Sequence, residues 1–243
     1  MIDELAAIRR ESDAFYAVAE SADSTSRVPS CPDWTIADLV WHLGEVQWFW
    51  ATIAEQRLDN PDDAERAKPA RPDDYHDLLT FGRSQADHML AVLTSTPGDT
   101  KVWTWALDES AHNVAFITRH QVQEAAVHRW DLQNGAGKEP APIDQESASD
   151  AIDEFLTVTL PWCVRADKPV AGSVHLHCTD TAGEWFIHPD GRVEPIHAKG
   201  DVAIRGTASD ILLALYTRVP LDHLDVIGDA ALAQQLVDVV NTE

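Results

Sequence analysis

The sequence predicts an α+β protein: an N-terminal four-helix bundle followed by a small α+β domain. Three observations carry that prediction. Through the first half, apolar residues recur at three- and four-residue steps in long segments joined by short connections, as packed amphipathic helices require. The stretch Gly135 to Pro142 is then rich in Gly, Pro and Ala, a linker composition. Beyond one further helix the apolar period shortens towards two, which marks strands. The expected domains are 1–140 and 141–243.

The first helix, roughly 2–22, carries Leu5, Ile8, Ser12, Phe15 and Val18 on one side. Ser24 to Pro32 reads as a turn-rich connection. Thr35 then caps a second helix, with Asp38 three residues on as an acidic variant of the capping box. Ile36, Leu39, Val40, Leu43, Val46 and Phe49 form its buried stripe, and His42 falls inside or at the edge of it. Gly44 costs about 1 kcal/mol against Ala in mid-helix; it either admits a close neighbour or is simply tolerated. Asp59 to Pro72 reads as a polar loop, and a third helix over about 73–94 ends before Pro97-Gly98. Trp103 and Trp105 precede a fourth helix from about Ser110 to Gln133, which stops at Asn134-Gly135.

The second half opens with a helix at about 144–160. Val174–Cys178, Trp185–His188 and Val202–Arg205 read as strands, with Asp190-Gly191 as a hairpin turn. Thr207 with Asp210 caps another helix, and Asp229 starts the last.

Charge narrows the partners. The chain has 41 acidic against 18 basic residues, formally −23 at pH 7. Such a surface repels phosphate backbones and anionic lipid, so neither nucleic acid nor membrane is expected as a partner. The three cysteines, Cys31, Cys163 and Cys178, are widely spaced and form no CxxC, which argues against a disulfide scaffold and for a reducing cytoplasm. No signal sequence is expected at the N-terminus, and no apolar run approaches the length of a membrane span.

The chemistry-bearing residues centre on the fourth helix. Glu124 and His128 are four apart, so a helix sets them on one face, one turn apart. A carboxylate and an imidazole so placed can grip a divalent metal, and His42 from the second helix is a candidate third ligand. Three protein ligands with an open position make a catalytic zinc site. The alternatives are a solvent face for the pair and a satisfied core histidine for His42. The apolar residues of this helix are split around it, and Arg119, Gln123 and Arg129 lie opposite the candidate face, which suggests burial on more than one side. His175 and His177 alternate along a strand and share a face, with Cys178 on the other; a metal pair competes there with strand surface or packing. HEXXH, GxSxG, GxGxxG and Walker patterns are absent. Cys31 has no base placed beside it by sequence.

The segment Cys31-Pro32-Asp33-Trp34-Thr35, leading to Asp38-Leu39-Val40-Trp41-His42-Leu43-Gly44, resembles the opening of the mycothiol-dependent maleylpyruvate isomerase family, whose N-terminal domain is a DinB-like four-helix bundle. Gln123 to Asp131 is similar to that family's second motif. His175 to Asp180 with Gly183-Glu184-Trp185, then Gly206 to Arg218 and Gly228-Asp229-Ala230, resemble its C-terminal domain. The resemblance implies zinc as the metal, with His42, Glu124 and His128 as ligands, and mycothiol as the thiol cofactor. It also implies an arginine near the substrate, matched here by Arg218, although the family's Thr-Gly-Arg is Tyr216-Thr217-Arg218 in this chain. Asp131 is either a partner that orients His128 or an exposed carboxylate near the helix end.

The implied reaction is cis–trans isomerisation of an electrophilic small molecule, with a carboxylate as one option for its binding handle. The metal would hold the cofactor's sulfur as thiolate. A thiol S-transferase on the same site and a non-catalytic metal-binding module are the alternatives. A monomer or a homodimer is expected.

Overall fold

A computed structural model of the chain describes residues 2–164 and 169–240. The chain divides into two compact units, Ile2–Ala141 and a second from Pro142 on.

Four long helices make the first unit: α1 (Glu4–Ala19), α2 (Ile36–Gln56), α4 (Tyr75–Ser95) and α5 (Val114–Gly135), with a short α3 (Asp62–Arg66) between α2 and α4. The helix pairs α2 with α4 and α1 with α5 pack most extensively. The buried apolar residues fall into two clusters. One gathers around Ile8, Ile53, Met89 and Ile117; the other around Phe15, Leu39, Leu43 and Leu132. The starts of the helices follow capping chemistry. Thr35 and Asp38 form the reciprocal box expected of α2, Asp74 accepts from His76 and Asp77 N–H at α4, and Asn113 accepts from Phe116 N–H at α5.

Gly44 belongs to a close approach of α2 and α4. A Cβ there would stand 3.0 Å from the Cα of Gly82, and one on Gly82 would meet the buried Tyr16 hydroxyl at 2.5 Å. The missing side chains therefore let two backbones touch.

Some connections hold more structure than their composition suggests. The turn-rich region after α1 contains an antiparallel ribbon, β1 (Arg27–Val28) with β2 (Cys31–Thr35). The polar loop before α4 contains α3. The fourth helix begins at Val114 rather than near Ser110, because Glu109–Ala111 forms a separate 3-10 turn before the Asn113 cap.

In the second unit, α6 (Gln145–Glu154) passes through a widened turn at Phe155–Thr159 into α7 (Leu160–Cys163). Pro161 has no N–H to offer the carbonyl four residues back, so the regular ladder cannot run through it. A five-stranded sheet follows, made of β3 (Val174–Cys178), β4 (Glu184–Ile187), β5 (Val193–Glu194), β6 (Val202–Gly206) and β7 (Asp225–Gly228), in the order β5-β4-β3-β6-β7. The β3–β6 pair is parallel and the others antiparallel. Helices α8 (Ala208–Leu215) and α9 (Ala230–Val240) complete the unit. Val174, Leu176, Trp185, Ile187, Val202 and Ile204 are buried, and their alternation places them on one face of the sheet. Asp190-Gly191 makes the β4–β5 turn, with Gly191 at φ 85°.

Candidate metal centre

Helices α2 and α5 bring His42, Glu124 and His128 together. His42 Nε2 lies 3.2 Å from Glu124 Oε1, and His128 Nε2 lies 3.3 Å from the same oxygen. One ligand atom from each residue falls within 4.8 Å of the others. Two ligands on a tetrahedral zinc, at bonds of about 2.0–2.1 Å, are about 3.3 Å apart, so the donors stand at the spacing such an ion requires. Two imidazoles and a carboxylate are also a donor set that zinc accepts. The residues present therefore fit a divalent metal.

The surroundings hold the donors in place. Asp131, completely buried, lies one turn beyond His128 on α5, and its Oδ2 is 3.0 Å from His128 Nδ1. A carboxylate there fixes the proton on Nδ1 and turns the Nε2 lone pair towards Glu124. Ser30, between the β1 and β2 strands, donates to the other Asp131 oxygen at 2.5 Å. The Trp34 ring lies 4.7 Å from that of His42, and the His42 and His128 rings stand edge-on at 4.8 Å.

The electrostatics are those of a coupled buried group. Burial alone would raise the Glu124 carboxyl, but His128 and His42 outweigh it and hold it well below the ordinary range. Burial would lower the His128 imidazole; the Glu124 and Asp131 carboxylates oppose this and bring it up to about 9.

The sequence-based reading passed over two contributors. His120 precedes Glu124 by one turn, and its Nε2 lies 3.7 Å from Glu124 Oε2. It is packed among Trp50, Trp105 and Phe116. The regular spacing of His120, Glu124 and His128 was the available signal. Ser30 gave no such signal, because only the ribbon's fold carries it to α5. Arg218 belongs to the other unit, just past α8. Its Nη1 donates to the Tyr216 carbonyl at 2.8 Å and its guanidinium lies 5.7 Å from the Tyr216 ring centroid. Thr217 sits at φ 60°, the left-handed conformation that a glycine adopts freely.

A helical bundle that presents two imidazoles and a carboxylate at one point defines a protein with a metal-type donor set on facing helices. Residues 5–133 match the mycothiol maleylpyruvate isomerase N-terminal domain, and residues 146–235 match the C-terminal domain of the same proteins. The chain belongs to the mycothiol-dependent maleylpyruvate isomerase family. A crystal structure of the mycothiol-dependent maleylpyruvate isomerase shares the fold, with a TM-score of 0.61 at 13% identity over 92% of this chain and 91% of the other. A histidine-to-alanine mutant of that isomerase gives 0.60 at 12% identity over the same shares. No curated protein sequence matches at a significant level. No helix among the described residues is long and apolar enough to cross a membrane.

Proposed function

We propose that this chain is a zinc- and mycothiol-dependent isomerase acting on an electrophilic small molecule. The observation that carries the reading is the convergence of His42 Nε2, His128 Nε2 and Glu124 Oε1 on one point, in a chain whose family is named for mycothiol-dependent isomerisation. A divalent metal bound there would act as a Lewis acid, lowering the pKa of a coordinated thiol so that it is a thiolate near neutral pH.

The chain's own residues do the rest. His42, Glu124 and His128 supply the ligand atoms. Asp131 accepts the Nδ1 proton of His128 and thereby keeps its Nε2 available for the metal. Trp34 limits the rotation of His42 by packing against its ring. The family resemblance implies that Arg218 holds a substrate carboxylate, where its guanidinium would also stabilise developing enolate charge. The acidic surface does not oppose binding of the cofactor, since mycothiol is largely a neutral sugar conjugate.

The test is a thermal-shift titration with mycothiol on metal-loaded and chelator-treated protein. Mycothiol should stabilise the zinc-loaded protein and leave the chelated one unchanged, by linkage of binding to folding. His42→Ala and His128→Ala should each abolish the response. Equal stabilisation of the chelated protein would overturn the reading. Product analysis by mass spectrometry separates isomerisation, which leaves substrate mass unchanged, from thiol transfer, which adds the mass of the thiol.

A further inference from the structure

A second cluster of donor side chains lies on the C-terminal sheet. His175 and His177 alternate along β3 and so share the face opposite Leu176 and Cys178. Glu184 on β4 is the register partner of His177. His197 joins them from the loop between β5 and β6. Gly200 lets that loop lie on the sheet: a Cβ there would stand 3.0 Å from the backbone nitrogen of His175 and 2.8 Å from the Val202 carbonyl.

Three imidazoles thus surround one carboxylate. His177 Nδ1 is 2.8 Å from Glu184 Oε1, while His197 Nδ1 and His175 Nε2 are 2.6 and 3.4 Å from Oε2. The His175 and His197 rings are 5.0 Å apart and edge-on. One ligand atom from each of the four residues lies within 4.8 Å of the others.

Ordinary surface ion pairing does not account for this arrangement. An ion pair needs one imidazole beside the carboxylate, whereas three converge on Glu184 here. His175 Nε2 is buried, and Glu184 Oε2 approaches it only at 3.4 Å, a long contact that leaves room for a closer partner. A buried imidazole nitrogen in that position needs a partner. Arg205, the register partner of His177 on β6, brings an opposing charge to this face, and Asp225 stands next to it on β7.

We propose that His175, His177, Glu184 and His197 form a second metal site, selective for borderline late first-row divalent ions such as Zn²⁺ or Co²⁺. Three nitrogens and one carboxylate oxygen complete a four-coordinate shell with no open position, so its role is structural: it clamps the β5–β6 loop to β3. The site uses none of the α2 and α5 residues and stands independently of the function proposed above.

The test is a titration of the full-length, chelator-treated protein with Co²⁺ and then Zn²⁺, reading stoichiometry and the Co²⁺ d–d spectrum. Wild type should take up two equivalents at micromolar metal. His197→Ala alters an exposed loop residue, so the fold is retained, and it should remove one equivalent together with the tetrahedral signal assigned to this site. His175→Ala should do the same. His128→Ala should also drop uptake to one equivalent, and adding His197→Ala to it should abolish the remainder. Uptake by wild type of a single equivalent that His197→Ala leaves intact would overturn the proposal. So would binding at this site only at millimolar metal, which would mark adventitious coordination.

Discussion

Asp131 Oδ2 sits 3.0 Å from His128 Nδ1, on the side of the ring away from Glu124. The carboxylate therefore acts on the metal centre without touching its open side. Asp131→Asn keeps the volume but weakens the acceptor and can present an N–H to the wrong ring nitrogen. Metal affinity should fall about 10–100-fold, measured by competition with a chromophoric chelator, with the circular dichroism spectrum unchanged. Unaltered affinity would remove Asp131 from the centre.

The pattern of residues made part of this centre legible. Helical spacing puts Glu124 and His128 on one face whatever surrounds them, and the Thr35–Asp38 box marks the start of the helix that carries His42. Spacing does not fix how α2 and α5 pack, so from the residues alone His42 is a candidate third ligand weighed against a core histidine, and the family resemblance strengthens the choice; its contact with Glu124 spans 82 positions. Gly44 illustrates the same gap: its cost in a helix is visible in sequence, but its reason, Gly82 on α4, is a tertiary contact. The strands β5 and β7 escaped notice because they are short edge strands with little apolar alternation. The resemblance also brought forward Arg218, which no local pattern distinguishes.

The polar interior of α5 has a specific cause in Arg129. Its Nε donates to Glu11 Oε2 on α1 at 2.8 Å, both residues being buried, and Nη1 donates to Gln133 Oε1 at 2.9 Å. Glu11→Ala takes the opposing charge from a buried guanidinium, and stability should fall by about 3–5 kcal/mol in urea denaturation. Glu11→Leu combined with Arg129→Met should recover most of that loss, because no buried charge is left behind.

Thr217 holds a left-handed backbone, φ 60°, just past α8, where its N–H donates to Ala214 O at 3.0 Å and Arg218 N–H donates to Leu213 O at 2.8 Å. These bonds close the helix end, and the conformation suits glycine. A β-branched residue there is strained. Thr217→Gly should raise stability by about 1 kcal/mol, since the exposed side chain gives up little packing. A loss of stability on denaturation would show that the threonine side chain contributes more than the strain removes.

The cap of α2 makes the fold acid-sensitive. Burial would raise the Asp38 carboxyl, but hydrogen bonds from the Thr35 backbone and hydroxyl and the Arg71 guanidinium outweigh it, taking it from 3.8 to about 2. Between those values the folded chain binds fewer protons than the unfolded one, so the cap's contribution is complete above about pH 4 and disappears as pH falls through about 2. Asp38 is about a third exposed, 32%, and solvent screening reduces the contribution to about 1 kcal/mol. Asp38→Ala should therefore lower stability by about that amount at pH 7, and the gap between wild type and variant should close as denaturation is followed from pH 4 to pH 2. A gap that stayed constant over that range would assign the loss to helix propensity or packing rather than to the ionised cap.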